Sequence, residues 1–164
     1  MAITKFVQKL SDGLDQTVTV VTVMLLAAVI IITSSQIIFR VFFSALIWSE
    51  EAARYILVWI TFLGAGCVHK RSGHIAVKTL HDLVPIRSKK FFQILTHLIC
   101  MVIFAIMIYY GTRYVLVTSA QLSPAMRIPM QYIYIAIPLS GSIMMLHSIS
   151  NLLQICTSKE VQAK

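Results

Sequence analysis

The stretch Trp48–Arg71, WSEEAARYILVWITFLGAGCVHKR, decides whether this chain crosses a membrane three times or four. Between Arg54 and the His69-Lys70-Arg71 cluster, only the 14 residues 55–68 are free of charge. Crossing the hydrocarbon takes roughly 20 apolar helical residues. The segment therefore spans only if its helix begins near Trp48, whose indole suits the membrane–water boundary. Ser49 reads as the N-cap, which puts Glu50 and Glu51 in the first turn, where the helix dipole favours anions. Glu50 and Arg54 stand at i,i+4 with the acid first, the better order for an ion pair.

Outward from this stretch the charge-free gaps are longer: 24 residues at 16–39, 22 at 91–112 and 31 at 128–158. The reading is an all-α integral membrane protein, a single membrane domain over 1–164. Its four transmembrane helices lie near 17–39, 48–68, 91–117 and 130–155. Composition agrees, with 58% hydrophobic and 12% charged residues, where a soluble domain carries about a quarter charged. That excludes a soluble globule and a disordered chain. The net charge of +8 does not point to nucleic acid, because such partners need basic residues over a wetted face. The first apolar run exceeds the roughly 7–15 residues of a signal-peptide core, lacks a small-x-small cleavage site, and is read as retained. Cys67, Cys100 and Cys156 fall in different hydrophobic segments and read as small apolar residues.

Charge also sets orientation. With four spans, Lys5, Lys9, Lys70, Arg71, Lys78, Arg87, Lys89, Lys90, Lys159 and Lys164 share one side, ten of the fourteen cations. The positive-inside rule then puts both termini in the cytoplasm. Two further segments carry helical apolar stripes, 1–15 (Ile3, Phe6, Val7, Leu10, Leu14) and 74–85 (Ala76, Leu80, Leu83, Val84). Each fits an amphipathic helix at the headgroup level, and a helix packed on a partner subunit fits the second equally well. Pro138 is expected to kink the last span by freeing the carbonyl of Tyr134.

Three polar groups stand out. The Trp48–Tyr55 cluster fits a capped helix start that docks a neighbouring helix, with contact to substrate, ion or a soluble partner as alternatives. Further along that helix, Gly64, Ala65 and Gly66 would allow close helix approach, as would Ser140-Gly141-Ser142 in the last span. His97 and His147 fall at similar depth on antiparallel spans, where haem ligation, a proton relay or hydrogen-bonded packing are all open. The loop Gln121–Tyr132, with Pro124 and Pro129, is a rigid connection in which Arg127 can meet a partner or anchor at headgroups. The sequence contains no nucleotide-binding motif, metal-ligand spacing, nucleophile–base pair or phosphate loop, so it does not read as an enzyme.

The run Trp48-Ser49-Glu50-Glu51-Ala52-Ala53-Arg54-Tyr55, then Val58-Trp59, Phe62 and Gly64-Ala65, resembles the small membrane subunit of tripartite ATP-independent periplasmic (TRAP) transporters. Gly73-His74-Ile75 after a basic pair, Ser123-Pro124-Ala125, Ile128-Pro129, Tyr132 and Pro138 fit the same pattern, and the likeness covers the whole chain. The resemblance implies a multi-pass protein of the bacterial inner membrane, with both termini inside. Its partners would be a large multi-spanning permease, a periplasmic substrate-binding protein and the lipid bilayer, with no nucleic acid. The complex would import an organic acid on a sodium gradient, with sialic acid preferred over a C4-dicarboxylate. This chain would be a scaffold without a cofactor of its own, sodium binding in the large subunit. Carried over by residue, Trp48, Glu50, Glu51, Arg54, Trp59, Phe62 and Gly64 would form the subunit interface. Arg127, Pro124 and Pro129 would dock the binding protein.

Two other classes remain. A redox membrane anchor would bind haem through His97 and His147. A small four-helix exporter normally needs a carboxylate within the membrane, whereas Asp15, Glu50 and Glu51 all sit at span ends.

Overall fold

The computed structural model describes residues 2–83 and 86–157, with side chains for residues 6–71 and 91–155. The helices are α1 (Ala2–Phe42), α2 (Ile47–Leu83), α3 (Ile86–Val117), α4 (Gln131–Tyr134) and α5 (Ala136–Thr157). Four segments are long and apolar enough to cross a membrane: Phe6–Phe42, Ile47–Arg71, Phe91–Val117 and Gln131–Ile155. The four spans read from the sequence fall on these, and the all-α class holds. Among the described residues the β pairing is a single bridge, Leu122 with Pro129.

The long helices run further than the apolar stretches require. α1 is unbroken, so from Ala2 the amphipathic segment continues directly into the first span. Gly13 alone does not interrupt it, and Thr17 Oγ1 donates back to the Gly13 carbonyl at 3.0 Å. α2 starts at Ile47, one residue before Trp48, and continues to Leu83. Ser49 is not the N-cap. It lies fully buried inside the first turn, and its Oγ donates to the Leu46 carbonyl at 2.7 Å, the back-bonding open to a short hydroxyl side chain. The apolar stripe expected over 74–85 has side chains outside the described residues.

α5 is the middle helix, packing against α3, α2 and α1, while α1 and α3 do not touch among the described residues. In its apolar stretch 44% of residues are buried, against 6% in that of α1. Lipid supplies no hydrophobic drive between helices, so close packing and polar contacts must hold them together. α5 accordingly buries small or polar residues, among them Ala136, Ser140 and Ser148. A Cβ on its Gly141 would stand 3.1 Å from Ile108 Cγ1 of α3. Opposite, a Cβ on Gly111 would stand 3.0 Å from Ile137 Cγ2 and 3.3 Å from the Pro138 nitrogen. Between α1, α2 and α5, Val18, Leu63 and Cys67 form a core flanked by Leu25, Trp59 and Ile143.

Pro138 does what its ring dictates. The last span divides into α4 and α5 at Ile135, one residue past Tyr134, whose carbonyl a proline nitrogen cannot serve. The chain stays in helical geometry through Ile135 (φ −61°, ψ −19°), and Leu139 N regains a carbonyl, that of Ile135, at 3.1 Å.

Candidate functional site

The side-chain hydrogen bonds and ion pairs that join one element to another gather at the two ends of the molecule. At the end that carries the loop between α3 and α4, the buried carboxylate of Glu51 faces the loop backbone. Its Oε2 accepts the amide protons of Ala125 at 2.9 Å and Met126 at 2.7 Å. Its Oε1 accepts the hydroxyl proton of Tyr55, one turn further along α2, and Met130 Sδ lies 3.6 Å from that hydroxyl. A carboxylate receiving two amide protons is a charge-assisted arrangement about twice as strong as a neutral one.

The loop is closed upon itself as well. Ser123 N donates to the Ile128 carbonyl at 2.9 Å and Met130 N to that of Gln121 at 2.9 Å. Ile128 N donates to Ser123 Oγ at 3.2 Å. Arg127 sits at the tip with φ 51°, a left-handed conformation that costs an L-residue roughly 1–2 kcal/mol. Its side chain is exposed, as is Pro124, while Pro129 is half-buried beneath. The three residues expected to face a binding protein thus share one ordered, outward-facing loop.

The residues expected at a subunit interface divide. Glu50 and Arg54 open an exposed stripe that continues through Leu57, Thr61, Ala65 and Val68 along α2. The i,i+4 ion pair does not form: the ion pairs among the described residues involve Lys70 and Arg71 instead. Trp48 is exposed at the start of the same helix. Trp59 and Phe62 are half-buried, with Trp59 packed on the chain's own core. A Cβ on Gly64 would look toward Thr22 of α1 at 4.0 Å. Glu51, about a quarter-turn around α2 from the stripe, is given to the loop.

The other end is a knot around Lys70. Its ammonium donates to the Ser11 carbonyl at 2.9 Å, pairs with Asp12 at 2.7 Å and stands 4.0 Å from Asp15. Arg71 Nη2 reaches Thr19 Oγ1 at 3.2 Å and lies 4.0 Å from Asp15. Ser11 Oγ meets His147 Nδ1 at 2.7 Å, and His69 Nε2 meets Ser148 Oγ at 2.8 Å. The His69 ring lies edge-on to Phe104, with centroids 4.9 Å apart, and to His97 at 6.4 Å. His69 thus approaches His97 and bonds Ser148, the neighbour of His147, and among the described residues no three His, Cys, Asp or Glu side chains converge to hold a metal. Cys67 accepts a place in the core and lies 3.5 Å from Thr19 Oγ1.

Glu51 and His69 are eighteen residues apart on one helix, about 27 Å at 1.5 Å per residue. That is close to the roughly 30 Å of a bilayer's hydrocarbon. The two polar ties are therefore separated by about the thickness of the hydrocarbon. Sequence reasoning missed the tie at Lys70, His69 and Ser11, and the loop role of Tyr55. An available signal was the i,i+4 spacing of Glu51 and Tyr55; Ser11 and His147 offered none.

Residues 29–157 match the family described as tripartite ATP-independent periplasmic transporters, DctQ component. The ectoine TRAP transporter small permease protein of Halomonas elongata is 25% identical over 119 residues, 71% of this chain and 62% of that one. The sialic acid TRAP transporter permease protein of Haemophilus influenzae is 30% identical over 106 residues, 65% of this chain and 17% of that one. The isethionate TRAP transporter permease protein of Oleidesulfovibrio alaskensis is 26% identical over 118 residues, 69% of this chain and 19% of that one. The match thus spans less than two thirds of the ectoine relative and under a fifth of the other two. With the family matched over most of its length and four apolar helices, this multi-pass protein of the bacterial inner membrane is a transporter component, not an enzyme, and belongs to the DctQ family of tripartite ATP-independent periplasmic transporters.

Proposed function

We propose that the chain is the fixed small subunit of a three-component importer, bound to a large permease and fed by a periplasmic substrate-binding protein. Both termini lie in the cytoplasm, so the 118–130 loop faces the periplasm. The complex takes up an organic acid on a sodium gradient, and the relative 30% identical to this chain, named for sialic acid, favours that substrate. The other relatives are named for ectoine and isethionate, which fits a subunit that does not itself select the solute.

The observation that carries this reading is the exposed stripe on α2. Glu50 and Arg54 project from a helix long enough to span, yet each lacks an ion-pair partner among the described residues. A protein neighbour offering complementary groups would pair both of these exposed charges. The remainder of the stripe, Leu57, Thr61, Ala65 and Val68, suits close packing of a second helix. The redox-anchor reading has no comparable support, since the family is one of transporters.

The test is co-purification in mild detergent with the cognate large permease. Arg54→Ala is expected to lower the permease retained, and Arg127→Ala to leave it intact. Equal retention by both would remove the α2 stripe as the interface. Uptake into proteoliposomes then asks for the substrate: sialic acid accumulation that collapses with the sodium gradient is the expected result.

A further inference from the structure

We infer that Glu51 is a positioning residue for docking: its carboxylate holds the Ala125–Met126 turn so that Arg127 is presented to the substrate-binding protein in a preset conformation. The inference rests on the docking reading above, and deepens it by naming what shapes the docking surface.

The geometry has three parts. Glu51 is anchored on a rigid element, in the second turn of α2 between Ser49 and Ala52, all buried. Its Oε2 takes the two amides that immediately precede Arg127. Arg127 itself is in the left-handed region, a conformation that persists only where its surroundings impose it. The Glu51 bonds and the Ser123 bonds are what impose it: Arg127 N donates to the Ser123 carbonyl at 3.2 Å. Among the described residues, Glu51 is the side chain that accepts from both Ala125 N and Met126 N. Tyr55 completes the device by donating to Oε1, which leaves Oε2 aimed at the turn.

A preset loop binds a partner more tightly than a mobile one, because less ordering remains to be done on contact. Loss of Glu51 therefore weakens docking without touching the guanidinium that makes the contact. Nor does it touch the exposed α2 stripe, which faces elsewhere. The role is distinct from that of a subunit-interface residue, and the distinction can be measured.

The experiment uses the complete complex in proteoliposomes, with uptake followed against binding-protein concentration, and hydrogen exchange of the 119–132 segment in the same preparation. In Glu51→Ala, exchange of that segment is expected to accelerate. The half-saturating binding-protein concentration should rise about tenfold, the factor that one charge-assisted hydrogen bond commands. The maximal rate should hold, the mark of lost binding alone. Glu51→Gln, which retains an acceptor oxygen, should fall between wild type and alanine. Should the alanine variant fail to assemble, Tyr55→Phe provides the same test, with a smaller shift in the same direction. Unchanged exchange would overturn the positioning role while leaving the docking role of Arg127 standing. Faster exchange with an unchanged half-saturation would overturn docking through this loop, and the inference with it. Loss of the large permease from the Glu51→Gln complex would return Glu51 to the subunit interface.

Discussion

Ser11 Oγ and His147 Nδ1 lie 2.7 Å apart across 136 residues of sequence, and join the first helix of the chain to the last. His147 is 1% exposed and Ser11 2%, so neither can turn to water if the other is removed. Ser11→Ala leaves a buried ring nitrogen unpaired, a loss of about 1–3 kcal/mol. The expected result is a lower thermal midpoint for the purified chain, with faster hydrogen exchange near the start of α1. An unchanged midpoint would mean that Ser11 contributes no net stability through this bond.

Lys70 separates a buried role from a surface one. Its side chain is 17% exposed, that of Asp12 73% and that of Asp15 17%. An exposed carboxylate contributes at most about 1 kcal/mol to such a pair. Asp12→Asn is therefore expected to shift the thermal midpoint little. Lys70→Met strips a partner from Asp15 and from the Ser11 carbonyl together, and should cost several times as much. Equal shifts for the two variants would show the knot to be a solvated surface pair.

The glycines differ in the same testable way. A Cβ at Gly13 meets nothing within 4 Å, and one at Gly64 meets only Thr22 Cγ2 at 4.0 Å. Alanine at either position should be neutral, or stabilising by up to about 1 kcal/mol through helix propensity. A Cβ at Gly111 meets Pro138 Cδ at 3.1 Å and its backbone nitrogen at 3.3 Å, where a proline in a helix has no freedom to retreat. Gly111→Ala should destabilise by about 1–3 kcal/mol, as overpacking does. Thermal midpoints of the three alanine variants decide the matter, and a Gly111→Ala variant as stable as Gly13→Ala would refute the close crossing of α3 and α5.

These contrasts show where sequence reading succeeds. Trp48 and the charge-free run after Arg54 place the start of α2 within one residue of Ile47, because interfacial preference and span length are local properties. The break ahead of Pro138 is equally local. Arg54 and Glu50 at i,i+4 satisfy a local rule too, yet stay unpaired, since an exposed pair gains too little to fix two long side chains. Glu51 and Ala125 are 74 residues apart, and no spacing rule joins them. Gly111 lacked any signal that would rank it above Gly64, because which glycine lies at a crossing depends on how the helices meet.

Arg127 allows shape to be separated from charge. At φ 51°, asparagine is among the few residues that adopt the conformation readily, and a β-branched side chain is strongly disfavoured. Arg127→Asn is thus expected to keep the loop closed, with exchange of its amides as slow as in wild type. Arg127→Val should open it, with exchange faster at Ser123 through Met130. Both lack the guanidinium, so both should need more binding protein for half-maximal uptake, the valine variant more than the asparagine. If Arg127→Asn instead docks as well as wild type, the positive charge plays no part and the loop backbone itself is the contact. If both variants exchange slowly, the Glu51 bonds hold the turn without help from the residue at its tip.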